Sequence, residues 1–266
     1  AAIGRVQDDA LIARGTDLLR RAGVTSLNFD LMYGLPGQSL ADLETSLART
    51  VELGADRIAL FGYAHVPHLL PRQRRIEATA LPGQDERFAM AAFGYDYLLA
   101  AGYEAVGFDH FARPGDPLAQ ATREGRLHRN FQGFTDDSAP ALIGLGASAI
   151  SGTPGLLWQN EKNAGRYRML LSQARLPAAG GVARSADDRL RAAVIEGILC
   201  RGEAALDPRL AAEAAPRLAP FAERGLVSVE EGVLRLTPQA LPYARSIAAL
   251  FDPYRQDSAR RFSSAV

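Results

Sequence analysis

Short apolar segments alternate with helices along the first part of the chain, and this alternation limits the folds that are open to it. Residues 24–33 and 57–63 are rich in β-forming side chains, and a third such segment covers 103–108. Helices are predicted between them, over about 41–53 and 84–101, each followed by a glycine. Strands separated by helices of this length are typical of βαβ units with parallel strands. The pattern predicts an α/β fold in which the almost continuously apolar segment 24–33 is buried on both faces.

Polar side chains accompany the ends of these predicted strands. Asp30 lies near the end of the first strand, Tyr63 to His65 close the second, and Asp109 and His110 follow the third. In α/β folds, ligands gather at the carboxyl ends of the strands. We expect these side chains to meet at one edge of the sheet and to form a ligand site.

A long irregular stretch is predicted over residues 113–140, where aromatic and charged side chains occur together. Loops of this length inside a domain are usually functional or disordered, and we interpret this one as a lid or substrate loop. The segment that follows, 142–152, is dense in glycine, alanine and serine. Such a backbone can approach a flat ligand closely or form a tight turn.

The character of the sequence changes after a passage rich in glycine, alanine and proline at 177–183. Helices are predicted over 186–201 and 208–224, followed by a hairpin over 226–236 and a last helix that begins near Pro238. Helices followed by a small hairpin resemble a winged-helix module. We therefore predict two domains, at residues 1–176 and 185–266.

Composition narrows the classes of function. The 266 residues include 30 basic and 30 acidic side chains, and this balance argues against a nucleic acid or an anionic membrane as a partner. No apolar run reaches the roughly 18–20 residues that span a bilayer, and no signal peptide is recognised. The single cysteine, Cys200, lies in an apolar helix and is interpreted as a small buried side chain of a cytoplasmic protein.

Five runs of sequence together resemble the oxygen-independent coproporphyrinogen III oxidases. They include Asn-Phe-Asp-Leu-Met-Tyr-Gly-Leu-Pro, Asp-His-Phe-Ala-Arg-Pro and Leu-His-Arg-Asn-Phe-Gln-Gly, and they keep their order and approximate spacing. A single run of this kind is shared by many radical enzymes, whereas five in register are specific. The carboxy-terminal helices and hairpin resemble the family's small terminal domain, so the match covers essentially the whole chain. The five runs are residues 28–36, 63–67, 109–114, 127–133 and 146–151.

The resemblance implies the carboxy-terminal part of a (β/α)6 partial TIM-like barrel of the radical S-adenosylmethionine type, followed by a small winged-helix-like domain. It implies two S-adenosylmethionine molecules and a [4Fe–4S] cluster. Such a cluster needs closely spaced cysteine thiolates, which this chain lacks, so no metal ligand is expected in it. The sequence starts with Ala1, and we expect it to begin inside a longer protein whose upstream residues hold the cluster. By itself the chain is expected to be inactive.

Four residues match cofactor contacts of that family. The resemblance implies that Arg5 and Asp30 contact the second S-adenosylmethionine, Arg5 through the carboxylate and Asp30 through hydroxyls or the ammonium group. It implies that backbone groups of Ala64 meet the adenine of the first, and that Ile150 packs on that adenine. Anionic propionates of the substrate need basic partners. The candidates in matching runs are His110, Arg113, His128 and Arg129.

The family's reaction is the conversion of coproporphyrinogen III propionates to vinyl groups with loss of carbon dioxide, which gives protoporphyrinogen IX in haem biosynthesis. The implied partners are the porphyrinogen and an electron donor, without nucleic acid or membrane, and the implied state is a monomer. The cofactor supplies the difficult chemistry, while the protein positions the substrate and excludes water. One departure concerns residues 134–137, where Phe-Thr-Asp-Asp replaces the family's usual Tyr-Thr-Thr.

Two other functions stay open at this point. A related haem chaperone shares the barrel and binds haem, although the runs at 109–114 and 127–133 favour the oxidase. A winged helix at 186–250 could bind DNA. However, its helices carry no basic stripe, because acidic residues such as Glu196 and Glu213 offset the arginines.

Overall fold

A computed structural model describes residues 7–68 and 70–255 of the chain, so the predicted cofactor residue Arg5 lies outside the described residues. The described part consists of helices and short strands in alternation. The helices are α1 (Asp9–Arg21), α2 (Leu40–Glu52), α3 (Gln84–Ala100), α4 (Pro117–Arg123), α5 (Ala164–Ser172), α6 (Ala186–Arg201), α7 (Pro208–Ala222) and α8 (Ala244–Ala248). The strands are β1 (Asn28–Tyr33), β2 (Arg57–Gly62), β3 (Glu104–Val106), β4 (His110–Ala112), β5 (His128–Asn130), β6 (Gly133–Thr135), β7 (Ile150–Thr153), β8 (Leu156–Asn160), β9 (Ala178–Ala183), β10 (Glu203–Ala205), β11 (Val227–Glu230) and β12 (Val233–Leu236).

The first βαβ unit forms as predicted. Strands β1 and β2 are parallel and in register, with Asn28 opposite Arg57 and Tyr33 opposite Gly62. Helix α2 connects them and begins at a capping box, in which the Ser39 hydroxyl accepts from the backbone N–H of Asp42 and the Asp42 carboxylate accepts from that of Ser39. Helix α3 begins and ends within one residue of the prediction.

The third predicted strand, 103–108, is instead a hairpin. Gly107 takes a left-handed conformation with φ of +63°, which ends β3 and turns the chain back into β4. Strand β4 lies between β2 and β3 and is antiparallel to both, which gives the order β1-β2-β4-β3. The expected all-parallel arrangement is therefore wrong at this edge, and the sheet is mixed.

Strand β1 is buried on one face only, in contrast to the prediction that both faces are covered. Phe29, Leu31 and Tyr33 pack in a core with α2, α3 and β2. Asn28 and Asp30 alternate with them and are exposed. Because successive side chains of a strand point to opposite faces, the other face of the sheet stays open at this strand.

The stretch 113–140, predicted to be irregular, contains a helix and a hairpin. Helix α4 starts with Pro117 at its first position, where the missing backbone N–H costs nothing. Asp116 caps it by accepting from the backbone N–H of Leu118 at 2.8 Å, and it also binds the guanidinium of Arg57 at 2.7 Å. Strands β5 and β6 then form a two-stranded antiparallel hairpin.

The small residues 142–152 lead into a second sheet, of order β7-β8-β9. Asn160 holds their loop, because its side-chain amide donates to the carbonyls of Gly144 and Gly146, both at 3.0 Å. The passage at 177–183 forms β9 and pairs with β8. The division into domains at this passage stays a prediction.

Residues 186–255, called the carboxy-terminal module below, have a hydrophobic core of their own. Helix α6 has the predicted bounds, and the predicted hairpin forms β11 and β12, joined by β10 in an antiparallel sheet of order β10-β12-β11. Short 3-10 helices flank α8 at Pro238–Tyr243 and Ala249–Phe251. The buried core residues of this module include Ile198, Leu210, Leu234, Ile247 and Phe251.

A smaller cluster joins the carboxy-terminal module to the rest of the chain. Cys200 on α6 is buried, as predicted, among side chains of β3, β4, α4 and the residue before β5. Its other buried members are Val106, Ala112, Leu118, Ala119, Ala121 and Leu127. Among the described residues, no helix is long and apolar enough to cross a membrane.

Candidate functional site

Asp30 and His110 lie on the same open face of the sheet. In the register, Asp30 is opposite Ala59, and Ala59 is opposite His110, so the three side chains share one face. Strands are spaced by about 4.8 Å, which places Asp30 and His110 about 10 Å apart across the small side chain of Ala59. Asp30 is the third of six residues in β1, so the prediction that it ends the strand is wrong. Its carboxylate accepts from the Asn28 side-chain amide at 2.7 Å and remains exposed.

The loop after β2 is held by Gln73, a buried residue that sequence reasoning missed. The Gln73 side chain donates to the carbonyl of Ala64 at 2.9 Å and accepts from the backbone N–H of Val66 at 2.6 Å. The Ala64 carbonyl is therefore already bound, whereas its side chain is exposed. Nothing in the sequence marks Gln73, because its function depends on a loop that folds back over nine residues.

Ile150 belongs to a different sheet from Asp30 on β1 and from β2, which Ala64 follows. It opens β7 in the second sheet and is half-buried. Its carbonyl lies 2.7 Å from the position that a Cβ atom would take at Gly144. The small residues before β7 therefore let two backbone segments approach closely, and the approach to a flat ligand stays a prediction.

His110 and Arg129 come together around two phenylalanine rings, whereas the His128 ring lies against Glu196 of helix α6. The His110 ring meets Phe134 edge-on at 5.1 Å between centroids, and its Nδ1 is 2.6 Å from the Asp109 carboxylate. The Arg129 guanidinium lies 5.2 Å from the ring centres of both Phe108 and Phe134. His128 is the first residue of β5, beside Arg129. Two of the four basic candidates, His110 and Arg129, thus belong to one site, and the His128 side chain points away from it.

Arg113 lies at the opposite end of strand β4 from His110. Strand β4 is antiparallel to β2, so the chain leaves β4 at the amino end of β2, where the Arg113 backbone N–H donates to the carbonyl of Asp56. Its guanidinium stacks 4.4 Å from the centre of the Tyr103 ring. The prediction grouped Arg113 with the substrate residues because it lies in one of the runs that match the family, and strand direction was not considered.

Arg245 is the basic residue of the site that sequence reasoning missed. It belongs to α8 of the carboxy-terminal module, and its guanidinium lies 5.7 Å from the centre of the Phe108 ring. Within residues 7–68 and 70–255, neither Arg129 nor Arg245 forms an ion pair with a carboxylate. No motif surrounds Arg245, so only the fold reveals its position.

A cavity of about 340 Å³ borders Phe108, Asp109 and Arg245, and it lies on the opposite face of the sheet from Asp30 and His110. It lies between the carboxyl end of β2, helix α3, the β3–β4 turn and the segment 238–245. Aromatic and aliphatic side chains make up most of its wall, and Asp96, Asp109 and Arg245 are its charged residues. Burial raises the pKa of Tyr33, another wall residue, and this effect outweighs the opposing influence of the nearby Arg87 guanidinium.

The chain does not fit an iron–sulfur cluster. It has one cysteine, and burial raises the pKa of that Cys200 thiol to about 12, so it is not a thiolate at neutral pH. Within the described part of the chain, no group of three or more His, Cys, Asp or Glu side chains could hold a metal ion. The exposed Asp30 carboxylate does fit the hydroxyl or ammonium groups of S-adenosylmethionine, because it has acceptor positions besides the one used by Asn28.

The sequence is similar to several curated proteins. The oxygen-independent coproporphyrinogen III oxidase of Paracoccus denitrificans is 41% identical over 260 residues, which cover 95% of this chain and 58% of that protein. The protein of the same name from Bradyrhizobium diazoefficiens is 39% identical over 274 residues, which cover 100% of this chain and 61% of that protein. No family model matches the chain.

One solved structure matches nearly the whole chain. Coproporphyrinogen III oxidase from Escherichia coli, described as a radical SAM enzyme, superposes with a TM-score of 0.88 at 36% identity. The match covers 95% of this chain and 61% of that one. The chain therefore spans about 60% of the length of the relatives that it matches.

Fold and sequence thus indicate the same class of protein. Over the part that is matched, the mixed α/β architecture is that of a radical SAM enzyme. Within that class, the relatives most similar in sequence share one name. Over the length that it covers, the chain is similar to the oxygen-independent coproporphyrinogen III oxidases.

Proposed function

We propose that the chain is part of a longer enzyme that converts propionate side chains of coproporphyrinogen III to vinyl groups without oxygen, giving protoporphyrinogen IX in haem synthesis. Relatives that bear this name are about 40% identical over nearly all of the chain. The chain spans about 60% of their length, and the cluster ligands of the complete enzyme would lie outside it, because the chain has one cysteine.

The observation that carries this proposal is the pair of guanidinium groups at Phe108. Arg129 and Arg245 approach this ring from two different parts of the chain, and neither is neutralised by a carboxylate in the described residues. An arginine binds a carboxylate through two parallel hydrogen bonds. Two such groups beside the Phe108 ring, one of which also lies beside Phe134, suit a ligand that combines flat rings with several carboxylate arms.

The candidate residues of this chain would serve two purposes, cofactor binding and substrate binding. Asp30 and Ala64, on the open face and at the end of the sheet, would hold S-adenosylmethionine, and the bound cofactor would supply the removal of a hydrogen atom from a propionate. Arg129 and Arg245 would bind carboxylate arms of the substrate. The finer architecture that we propose is a partial (β/α)6 barrel with the carboxy-terminal module as a winged-helix-like domain. The complete enzyme would be a cytoplasmic monomer that takes electrons from a separate donor.

The test is an anaerobic assay of the complete polypeptide after cluster reconstitution. With coproporphyrinogen III, S-adenosylmethionine and a reductant, we expect loss of carbon dioxide and formation of protoporphyrinogen IX. Tight binding of haem without decarboxylation would contradict the proposal and identify a haem chaperone instead.

The arginine pair is tested separately by binding of coproporphyrin III, a stable tetracarboxylate with the same side chains. Replacing either Arg129→Ala or Arg245→Ala should weaken binding about tenfold, the effect of losing one charge-assisted contact. Arg235→Ala is the matched control, because Arg235 lies on β12 and pairs at 3.3 Å with Glu203 at the surface. Equal affinities in all three variants would exclude this pair as the carboxylate site.

A further inference from the structure

Helix α6 holds the β5–β6 hairpin through a single carboxylate. One oxygen of Glu196, Oε1, accepts from the backbone N–H of Arg129 at 3.2 Å and lies 3.1 Å from Nδ1 of His128. Both partners belong to the first strand of the hairpin, and both are substrate candidates. Glu196 itself comes from the carboxy-terminal module, 67 residues further along the chain than Arg129.

The same helix face anchors the start of the hairpin. Cys200 follows Glu196 by one helical turn, so the two side chains lie on one face of α6. Cys200 packs in the cluster that contains Leu127, the fully buried residue directly before His128. An apolar contact therefore fixes where the hairpin starts, and the Glu196 hydrogen bonds fix how its first strand lies on the helix.

The other side of the hairpin packs against the β3–β4 turn. The Phe134 ring of β6 meets Phe108 edge-on at 5.8 Å, and Arg129 lies beside both rings. Arg129 is exposed, and no carboxylate among the described residues pairs with it. Its guanidinium is therefore placed by these two rings and by the backbone of β5, and that backbone is bound by Glu196.

We propose that Glu196 is a positioning residue, by which the carboxy-terminal module places the Arg129 guanidinium for binding of a substrate carboxylate. This inference rests on the proposed function, because it assigns Arg129 to the porphyrinogen. In this role Glu196 does not contact the ligand. It acts through the Arg129 backbone, and the carboxy-terminal module thereby helps to position a substrate-binding side chain.

The test compares Glu196→Ala with Glu196→Gln in the complete polypeptide. The glutamine keeps a carbonyl oxygen that accepts from the Arg129 N–H, so it should behave as the unsubstituted protein does. The alanine should speed hydrogen exchange of the Arg129 amide about tenfold and weaken coproporphyrin III binding about threefold to tenfold. In turnover, KM should rise by the same factor while kcat stays within about twofold, because binding and not chemistry is changed.

Glu203→Ala is the control, since Glu203 is an exposed glutamate of the same module that pairs with Arg235 and not with the hairpin. The decisive variant is the double replacement Glu196→Ala with Arg129→Ala. If Glu196 acts through Arg129, removing it should cause no further loss of binding once Arg129 is absent. Additive losses, or equal damage from glutamine and alanine, would overturn the proposal.

The exchange measurement also separates this inference from the proposed function. A complete polypeptide that binds no coproporphyrin III would contradict the substrate, and the positioning of Arg129 for it would be overturned as well. If the porphyrin binds but exchange of the Arg129 amide is unchanged in Glu196→Ala, the substrate stands and the role of Glu196 is refuted.

Discussion

Gly107 shows how much of the site depends on one residue without a side chain. It ends β3 in a left-handed conformation, and the tip of the Phe134 ring lies 2.1 Å from where its Cβ atom would be. The Phe134 ring packs directly on this turn. The aromatic group around Arg129 therefore exists because the turn leaves space for it.

Replacing Gly107→Ala should destabilise the protein by about 2–4 kcal/mol, since a left-handed alanine costs about 1–2 kcal/mol and the Phe134 ring must also move. Gly125→Ala is the control, because Gly125 has a similar φ of +68° and nothing within 4 Å of its Cβ position. It should lose only about 1–2 kcal/mol. Unfolding in urea, followed by circular dichroism, measures both. Equal losses would mean that the Phe134 contact contributes nothing.

Arg191 is the buried charge of the carboxy-terminal module, and it predicts acid sensitivity. Its guanidinium binds the carboxylates of Asp187 at 2.7 Å and Glu213 at 2.6 Å. Hydrogen bonds from Arg191 lower the pKa of Asp187 below its ordinary 3.8 and that of Glu213 below its ordinary 4.5. Because both folded-state pKa values are depressed, their stabilisation is complete above the ordinary values and is lost as the pH falls from there through the lower folded-state values.

Urea unfolding at a series of pH values should therefore show stability falling between about pH 5 and pH 3. Arg191→Met removes the charge but keeps a long side chain, so this part of the pH dependence should flatten. Arg217→Met is the control, because Arg217 is half-exposed and lies 3.8 Å from Glu213. An unchanged slope in Arg191→Met would refute the assignment.

Single residues were predictable from sequence where the neighbourhood is local. The burial of Cys200 follows from the apolar helix around it, and the Ser39 cap follows from its spacing to Asp42. Arg113 and Arg245 were not predictable, because their positions depend on strand direction and on packing between distant segments. The sequence next to Arg113 and Arg245 indicates neither the strand direction nor the long-range packing.

At the scale of elements, periodicity identified helices well and strand pairing poorly. The bounds of α6 agree with the prediction because capping residues and apolar spacing mark both ends. The β3–β4 hairpin was missed because three-residue strands are too short to show alternation. The partners of a strand are set by tertiary contacts, so the sequence pattern could not show that β4 enters the sheet between β2 and β3.

Two helical glycines predict opposite effects for the same substitution. Gly15 in α1 has nothing within 4 Å of its Cβ position, so Gly15→Ala should stabilise the protein by about 0.5–1 kcal/mol through helix propensity. At Gly197 in α6 a Cβ atom would lie 2.6 Å from the backbone carbonyl of Glu203. Gly197→Ala should therefore push β10 off the helix and cost about 1–3 kcal/mol. Urea unfolding of both variants checks this, and stabilisation by Gly197→Ala would contradict the close packing.

At the scale of the whole molecule, two hydrophobic cores meet in a small third cluster around Cys200. One core belongs to the carboxy-terminal module and the other to the sheet with α2 and α3. The joining cluster draws on β3, β4 and α4 from one side and on α6 from the other. If the carboxy-terminal module separated from the sheet, Cys200 would become exposed while both larger cores stay intact. The reactivity of Cys200 therefore measures how often the joining cluster opens, and this cluster also holds the substrate hairpin.

Thiol labelling of Cys200 in the complete polypeptide, quantified on its own peptide by mass spectrometry, should measure this opening. Leu127→Ala removes a fully buried side chain of the joining cluster, at a cost of about 3 kcal/mol, so labelling should accelerate about a hundredfold. Leu210→Ala removes an equally buried side chain from the core of the carboxy-terminal module and should leave the rate unchanged. If both substitutions accelerate labelling equally, Cys200 is exposed only when that module unfolds. The joining cluster would then not open independently of that module, and the hairpin would move only when the whole module does.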